Sequence, residues 1–223
     1  MTTGEQWPVA EVARWMRFGG RLVRLELLLY AAVVRWVARR SAVPLGSEPW
    51  GYGRLVSPML WLWVFGSAVE TVAFHLLIPW EGVRLVVDIL SIWGLIWMIG
   101  MLAGYHVYPH LVTDDVVRVR SGVYHDIRVP RAAIATAVAK ERDLPSSVWL
   151  LQVEQGENGY DVAVAVSGRT NLLLTLVEPT ELSTAKGDLE VRTLAFWADE
   201  PRGLAAALDP VRRRGRLREQ RPG

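Results

Sequence analysis

Two apolar runs, residues 56–80 and 83–105, stand almost back to back in this chain of 223 residues. A helix needs roughly 20 residues to cross the ~30 Å hydrocarbon core of a bilayer, and each run meets that length. Only a few residues separate them, so the expected structure is a two-helix hairpin with both flanking segments on the same side. The chain then divides into a helical arm (1–40), a linker (41–55), the hairpin (56–105), a cytoplasmic domain (106–211) and a basic tail (212–223).

Orientation follows from arginine placement. Arg35, Arg39, Arg40 and Arg54 precede the hairpin, and Arg118 and Arg120 follow it. The turn Pro79-Trp80-Glu81-Gly82 carries no basic residue, with Arg84 alone just beyond. The positive-inside rule therefore expects both termini in the cytoplasm. Trp50, Trp61, Trp63 and Trp80 are spaced like interfacial anchors, although lipid-facing bulk is an equal reading for Trp61 and Trp63. Lysine occurs only at Lys140 and Lys186, the arginine bias of a GC-rich bacterial genome, so the expected location is the inner membrane, as a multi-pass protein. No basic segment followed by a short apolar stretch and cleavage site opens the chain. The first span is expected to serve as its own insertion signal.

Three ionisable residues, Glu70, His75 and Asp88, fall inside the spans. Such groups are costly in hydrocarbon and face protein or water. Residues equidistant from the turn lie at similar depth, which pairs His75 with Asp88 and Glu70 with Trp93. These groups read either as a polar clasp between helices or a self-association site, or as part of an ion pathway. Two helices cannot enclose a pathway, so transport requires an oligomer. Gly66, Gly94, Gly100 and Gly104 permit close helix approach.

Residues 8–40 read as helical, with a break expected at Gly19-Gly20. Arg14, Arg17, Arg21, Arg24, Arg35 and Arg39 fall in one stripe at about 100° per residue. The uninterrupted apolar stretch, 27–34, is too short to span. A basic stripe beside a broad apolar face fits a helix lying in the membrane interface, its arginines toward anionic headgroups. The alternatives are a helix packed on the hairpin or on the C-terminal domain, and a third span. Residues 41–53, rich in Pro, Gly and Ser, read as a linker.

Beyond Pro109 the apolar period becomes two. Strands are expected at 116–120, 123–129, 134–142, 148–154, 160–166, 172–177 and 189–197. Ser121-Gly122 and the 156–159 loop are turns, and Pro130-Arg131-Ala132-Ala133 breaks the pattern. Asp199-Glu200-Pro201 is a helix start. About seven short strands and one terminal helix give an all-β barrel or sandwich closed by that helix.

The stretch 110–138 resembles the opening of bacterial pleckstrin-homology (PH)-like domains, through Thr113, Val117, Val119, Arg120-Ser121-Gly122, Val129-Pro130 and Ile134. The segment 198–208 is similar to the closing helix of such domains, and the whole layout resembles membrane proteins of actinobacteria. The resemblance implies a PH-like fold behind a pair of membrane helices, and leaves function open because these domains host varied roles.

Charge narrows the partners. Residues 106–211 carry 10 basic and 15 acidic side chains, net −5. Around the first hairpin Arg118, Arg120 and Arg128 are opposed by Asp114, Asp115 and Asp126, a poor match for anionic headgroups. The tail reverses the sign with Arg212, Arg213, Arg214, Arg216, Arg218 and Arg221. It reads as a membrane-surface segment, worth about 1 kcal/mol per basic residue, as a strap on the acidic domain, or as a solvated tail. It lacks aromatics to stack on bases, so nucleic acid is not the expected partner.

No constellation points to catalysis. There is no cysteine, and Pro109 separates His106 from His110 in what is otherwise an i,i+4 metal spacing. His125 and Asp126 alternate across a strand, and the 167–171 turn lacks the pattern of a phosphate loop. The expectation is a protein without cofactor, metal or enzymatic activity. It is expected to present a binding or assembly module to another protein or to a second copy of itself. The rival reading is a subunit of an oligomeric transport system using Glu70, His75 and Asp88.

Overall fold

The computed structural model describes residues 9–145 and 150–209, with side chains from residue 19 onward. Helix α1 spans Val9–Val37 without a break, so the expected interruption at Gly19-Gly20 does not occur. Nothing lies within reach of a Cβ at either glycine. Helix α2, Ser57–Leu77, and helix α3, Glu81–Val107, form the hairpin. At about 1.5 Å per residue they measure about 32 and 40 Å. Both are long and apolar enough to cross a membrane, and only 11% of the most apolar window of each is buried in the protein. That low burial separates them from the core helices of a soluble domain.

Among the described residues, nine strands make two sheets. In the first, β1 (Glu48–Trp50), β2 (His110–Val112), β3 (Val116–Ser121) and β4 (His125–Pro130) lie side by side, all antiparallel. A single 3-10 turn at Arg131–Ala133 leads out. The second contains β5 (Ile134–Asp143), β6 (Leu151–Gly156), β7 (Gly159–Val164), β8 (Arg169–Thr184) and β9 (Gly187–Phe196), in the order β5-β8-β9-β7-β6. Within it β7 and β9 run parallel. The sheets are open rather than closed into a barrel. Helix α4, Pro201–Leu208, covers one end.

The core follows from strand alternation. Val117 and Val119 on β3, with Ile127 and Val129 on β4, point inward. They meet Leu172, Leu174 and Leu176 of β8, Leu194 and Phe196 of β9, and Leu204 and Leu208 of α4 in one cluster. The intervening Arg118, Arg120, Asp126 and Arg128 take the opposite face.

The placement of β1 changes the domain boundary. β1 lies within the segment read as a linker, and it pairs with β2, Trp50 opposite His110. The chain between these neighbouring strands is the whole α2–α3 hairpin. The hairpin is therefore an excursion out of the sheet, and the β-domain begins at Glu48 rather than near residue 106. Trp50 belongs to this domain. It packs against the core cluster, and a Cβ on Gly203 would come within 3.1 Å of its ring, so it is no interfacial anchor. Trp61, Trp63 and Trp80 are exposed on the hairpin.

β8 continues past the point where the sequence reading ends it. Pro179 donates no ladder hydrogen bond, and it falls within a register shift between Thr175 and Thr180, after which pairing with β9 resumes.

Candidate functional site

The site residues divide between the hairpin, the arm and the joint where both meet the β-domain. Within the hairpin, His75 Nδ1 lies 2.8 Å from Asp88 Oδ2, the pairing expected from equal distance to the turn. Glu70 and Trp93 do not pair. The Trp93 indole N–H donates to Glu26 Oε1 at 2.7 Å and lies 3.1 Å from the Tyr30 hydroxyl, which itself donates to Glu26. Depth matching within two helices overlooks this because it takes no account of α1. Glu70 is left exposed on α2 without a hydrogen-bond partner among the described residues.

Helix α1 runs alongside α3 in the same direction, Glu26 meeting Trp93 and Trp36 meeting His106, so the arm takes the packed-on-the-hairpin alternative rather than lying free in the membrane interface. Leu29 and Ala32 are fully buried, and a Cβ on Gly100 would meet the Leu29 Cβ at 3.0 Å. Residues 25, 29, 32 and 36 share this face, while Arg21, Arg24 and Arg35 stay exposed on the next. Val23, Leu27 and Val34 form an exposed apolar flank, and Leu22 is exposed on a different side of the helix. Arg39 follows the helix in a left-handed turn, φ 54°. The side chains of Arg14 and Arg17, and the tail residues Arg212, Arg213, Arg214, Arg216, Arg218 and Arg221, lie outside the described residues.

The joint itself is a buried polar peg. Tyr52, just before α2, is fully buried, and its ring stacks on His110 at 4.4 Å. Its hydroxyl accepts from Gly122 N–H at 2.6 Å and donates to the Tyr108 carbonyl at 3.0 Å. Burial pushes the phenol well above its ordinary pKa. His110 Nδ1 accepts the Arg120 backbone N–H at 3.0 Å, so the ring proton sits on Nε2, which donates to the Trp197 carbonyl at 2.8 Å. Burial lowers the His110 pKa to about 4, and the ring is neutral. One tyrosine and one histidine thus fasten α2, α3, β3 and the end of β9 together.

A second fastening flanks it. Asp199 N–H donates to the Gly51 carbonyl at 2.8 Å, and Asp199 Oδ1 accepts Arg54 N–H at 3.0 Å. Burial raises the Asp199 pKa against these hydrogen bonds. An adjoining cavity of about 500 Å³ is lined by Gly53, Arg54, Ser57, Tyr105, His106 and Asp199. His106 Nδ1 is spent on the Leu102 carbonyl at 2.9 Å, so His106 and His110 do not converge.

On the opposite side, α1 and the β3–β4 hairpin enclose a cleft of about 220 Å³. Arg118 Nε donates to Asp126 Oδ1 at 3.1 Å while Nη2 binds Oδ2, and Arg120 Nε lies 3.7 Å from Oδ1. Burial pulls the Asp126 pKa up, but the Arg118 hydrogen bond and the charges of Arg118, Arg120 and Arg128 outweigh it and hold the carboxyl below its usual value. Arg120 Nη1 also donates to the Ala42 carbonyl at 3.1 Å, tying the chain after α1 to β3.

Comparisons with protein-family models, with curated proteins and with solved structures found no match.

Sequence reasoning missed Tyr52 and His110 as a pair. The signal available was a tyrosine inside a Gly-rich segment, Gly51-Tyr52-Gly53, which nothing local explains.

Proposed function

We propose that this chain is a bacterial inner-membrane protein that holds a PH-like β-domain against the cytoplasmic face as a protein-binding or assembly module. The observation that carries the reading is the route of the chain: the α2–α3 hairpin leaves and re-enters the sheet between the paired strands β1 and β2. A domain joined this way cannot swing on a tether. The Tyr52–His110 peg and the Asp199 latch add to its fixed height and orientation. Such geometry suits presentation of a surface, where a flexible linker suits capture at a distance. The arginine asymmetry around the hairpin supports cytoplasmic placement of both termini.

The presenting surface is one of the two edges of the second sheet, the β5 edge. β5 is an edge strand, exposed from Val138 onward, and Val138 and Val177 are the large exposed apolar side chains of the described β-domain. Lys140, Glu141, Arg142 and Asp143 along it carry the mixed charge that limits indiscriminate strand pairing. A photo-crosslinking residue replacing Val138 in the full chain, in its native membrane, tests the reading. Adducts to a second copy or to one discrete protein are expected. Absence of adducts from correctly inserted protein would contradict it.

A further inference from the structure

The cleft between α1 and the β3–β4 hairpin has more positive charge than its own carboxylate answers. Arg24 approaches from α1, and Arg118 and Arg120 from β3, around the single Asp126 of β4. Arg118 occupies both oxygens of that carboxylate and Arg120 stands farther off. Arg24 has no ion-pair partner among the described residues, leaving the cleft with an excess of two positive charges. His125 on its wall has Nδ1 sealed from solvent without a partner among the described residues, and burial lowers its pKa.

Position and shape narrow the missing anion. Tyr108, the residue immediately after α3, lines the cleft, so the cavity opens where a membrane-crossing α3 would emerge. Val23, Leu27 and Val34 form an exposed apolar flank within about 100° of Arg24 around α1. A ligand that matches both features carries a compact anion on an apolar chain. The domain-wide charge of −5 obscures this, because it averages over acids remote from the cleft.

We infer that the cleft between α1 and the β3–β4 hairpin binds the phosphate headgroup of an anionic phospholipid, with the acyl chains along the apolar flank of α1. The inference rests on the membrane placement proposed above. Arg24 is the residue to vary, because it is exposed and ties no fold element together. Arg35 lies on the same basic stripe but does not line the cleft, and so reports general attraction to the surface.

The test uses the full chain in nanodiscs of phosphatidylcholine with a minority of phosphatidylglycerol. Lipid retained after gentle extraction is read by native mass spectrometry. Incorporation into discs is scored first and reports on membrane placement alone. The intact protein is expected to retain phosphatidylglycerol preferentially. Arg24→Gln is expected to reduce that retention about tenfold, the scale of one hydrogen bond to a charged group. Arg24→Lys should restore most of it, and Arg35→Gln should change it by no more than about fivefold, the ~1 kcal/mol of one diffuse surface charge, and by less than Arg24→Gln. Equal loss in Arg24→Gln and Arg35→Gln, or no preference in the intact protein, would overturn the inference. Inorganic phosphate displacing the lipid at matched ionic strength would assign the site to a free anion and overturn it too.

Discussion

Acid should loosen the joint between hairpin and β-domain, and His110 should account for much of the effect. Folding holds this ring neutral with a pKa of about 4, against about 6.5 for an unperturbed histidine. The folded value is depressed, so the unfolded chain takes up the proton first. Its contribution is complete above about pH 6.5 and is lost as pH falls from there toward about 4. At about 1.36 kcal/mol per pKa unit, the full loss is about 3 kcal/mol, of which about 2 kcal/mol is reached by pH 5. For a chain of this size that corresponds to roughly 4–8 °C in Tm. The assay is thermal unfolding of the full chain in one detergent at pH 7 and pH 5, beside His110→Gln. Gln supplies an acceptor and a donor but does not titrate, and every other titrating group is common to both proteins. The wild type should lose several degrees more than the variant between the two pH values. Equal losses would refute the account of His110 as a ring kept neutral by burial.

Tyr52→Phe should destabilise by about 1–3 kcal/mol in the same assay, because it leaves the buried Gly122 N–H without its acceptor. Gly100→Leu should displace α1 from α3, seen as faster tryptic cleavage at Arg24 and Arg35, because the new side chain meets Leu29. Gly66→Leu, with open space around it, should leave cleavage unchanged. A double-mutant cycle on His75→Ala and Asp88→Ala should give a coupling of about 0.6 kcal/mol, the average for hydrogen bonds between membrane helices. Zero coupling would remove the pair.

Seven of the nine strands were legible in the sequence because one buried face imposes a period of two, as in Val117, Val119, Ile127 and Val129. The other two, β1 and β2, have three residues each, too short to show a period. Their pairing depends on a contact across the whole hairpin, which no local pattern encodes. The parallel β7–β9 pair was hidden for the same reason: it is non-local, whereas hairpin signals link neighbours. His75 and Asp88 were readable because a tight turn fixes relative depth. Glu70 and Trp93 obey the same rule and fail it, since α1 supplies Glu26 at close range. The cleft was not legible at all. Arg24 and Arg118 sit on separate elements, and only the packing of α1 alongside α3 brings them to one cavity.

The placement of the β-domain on one face of the membrane, opposite the α2–α3 turn, is tested most directly by labelling single cysteines. The natural chain has no cysteine, so a substitution gives one reporter without background. Glu81→Cys marks the turn and Lys186→Cys marks the exposed β8–β9 turn of the domain. Intact spheroplasts are treated with a membrane-impermeant maleimide, before and after permeabilisation. Residue 81 should label in intact cells, and residue 186 only once the membrane is opened. Labelling of both positions in intact spheroplasts, or the reverse order, would contradict the account.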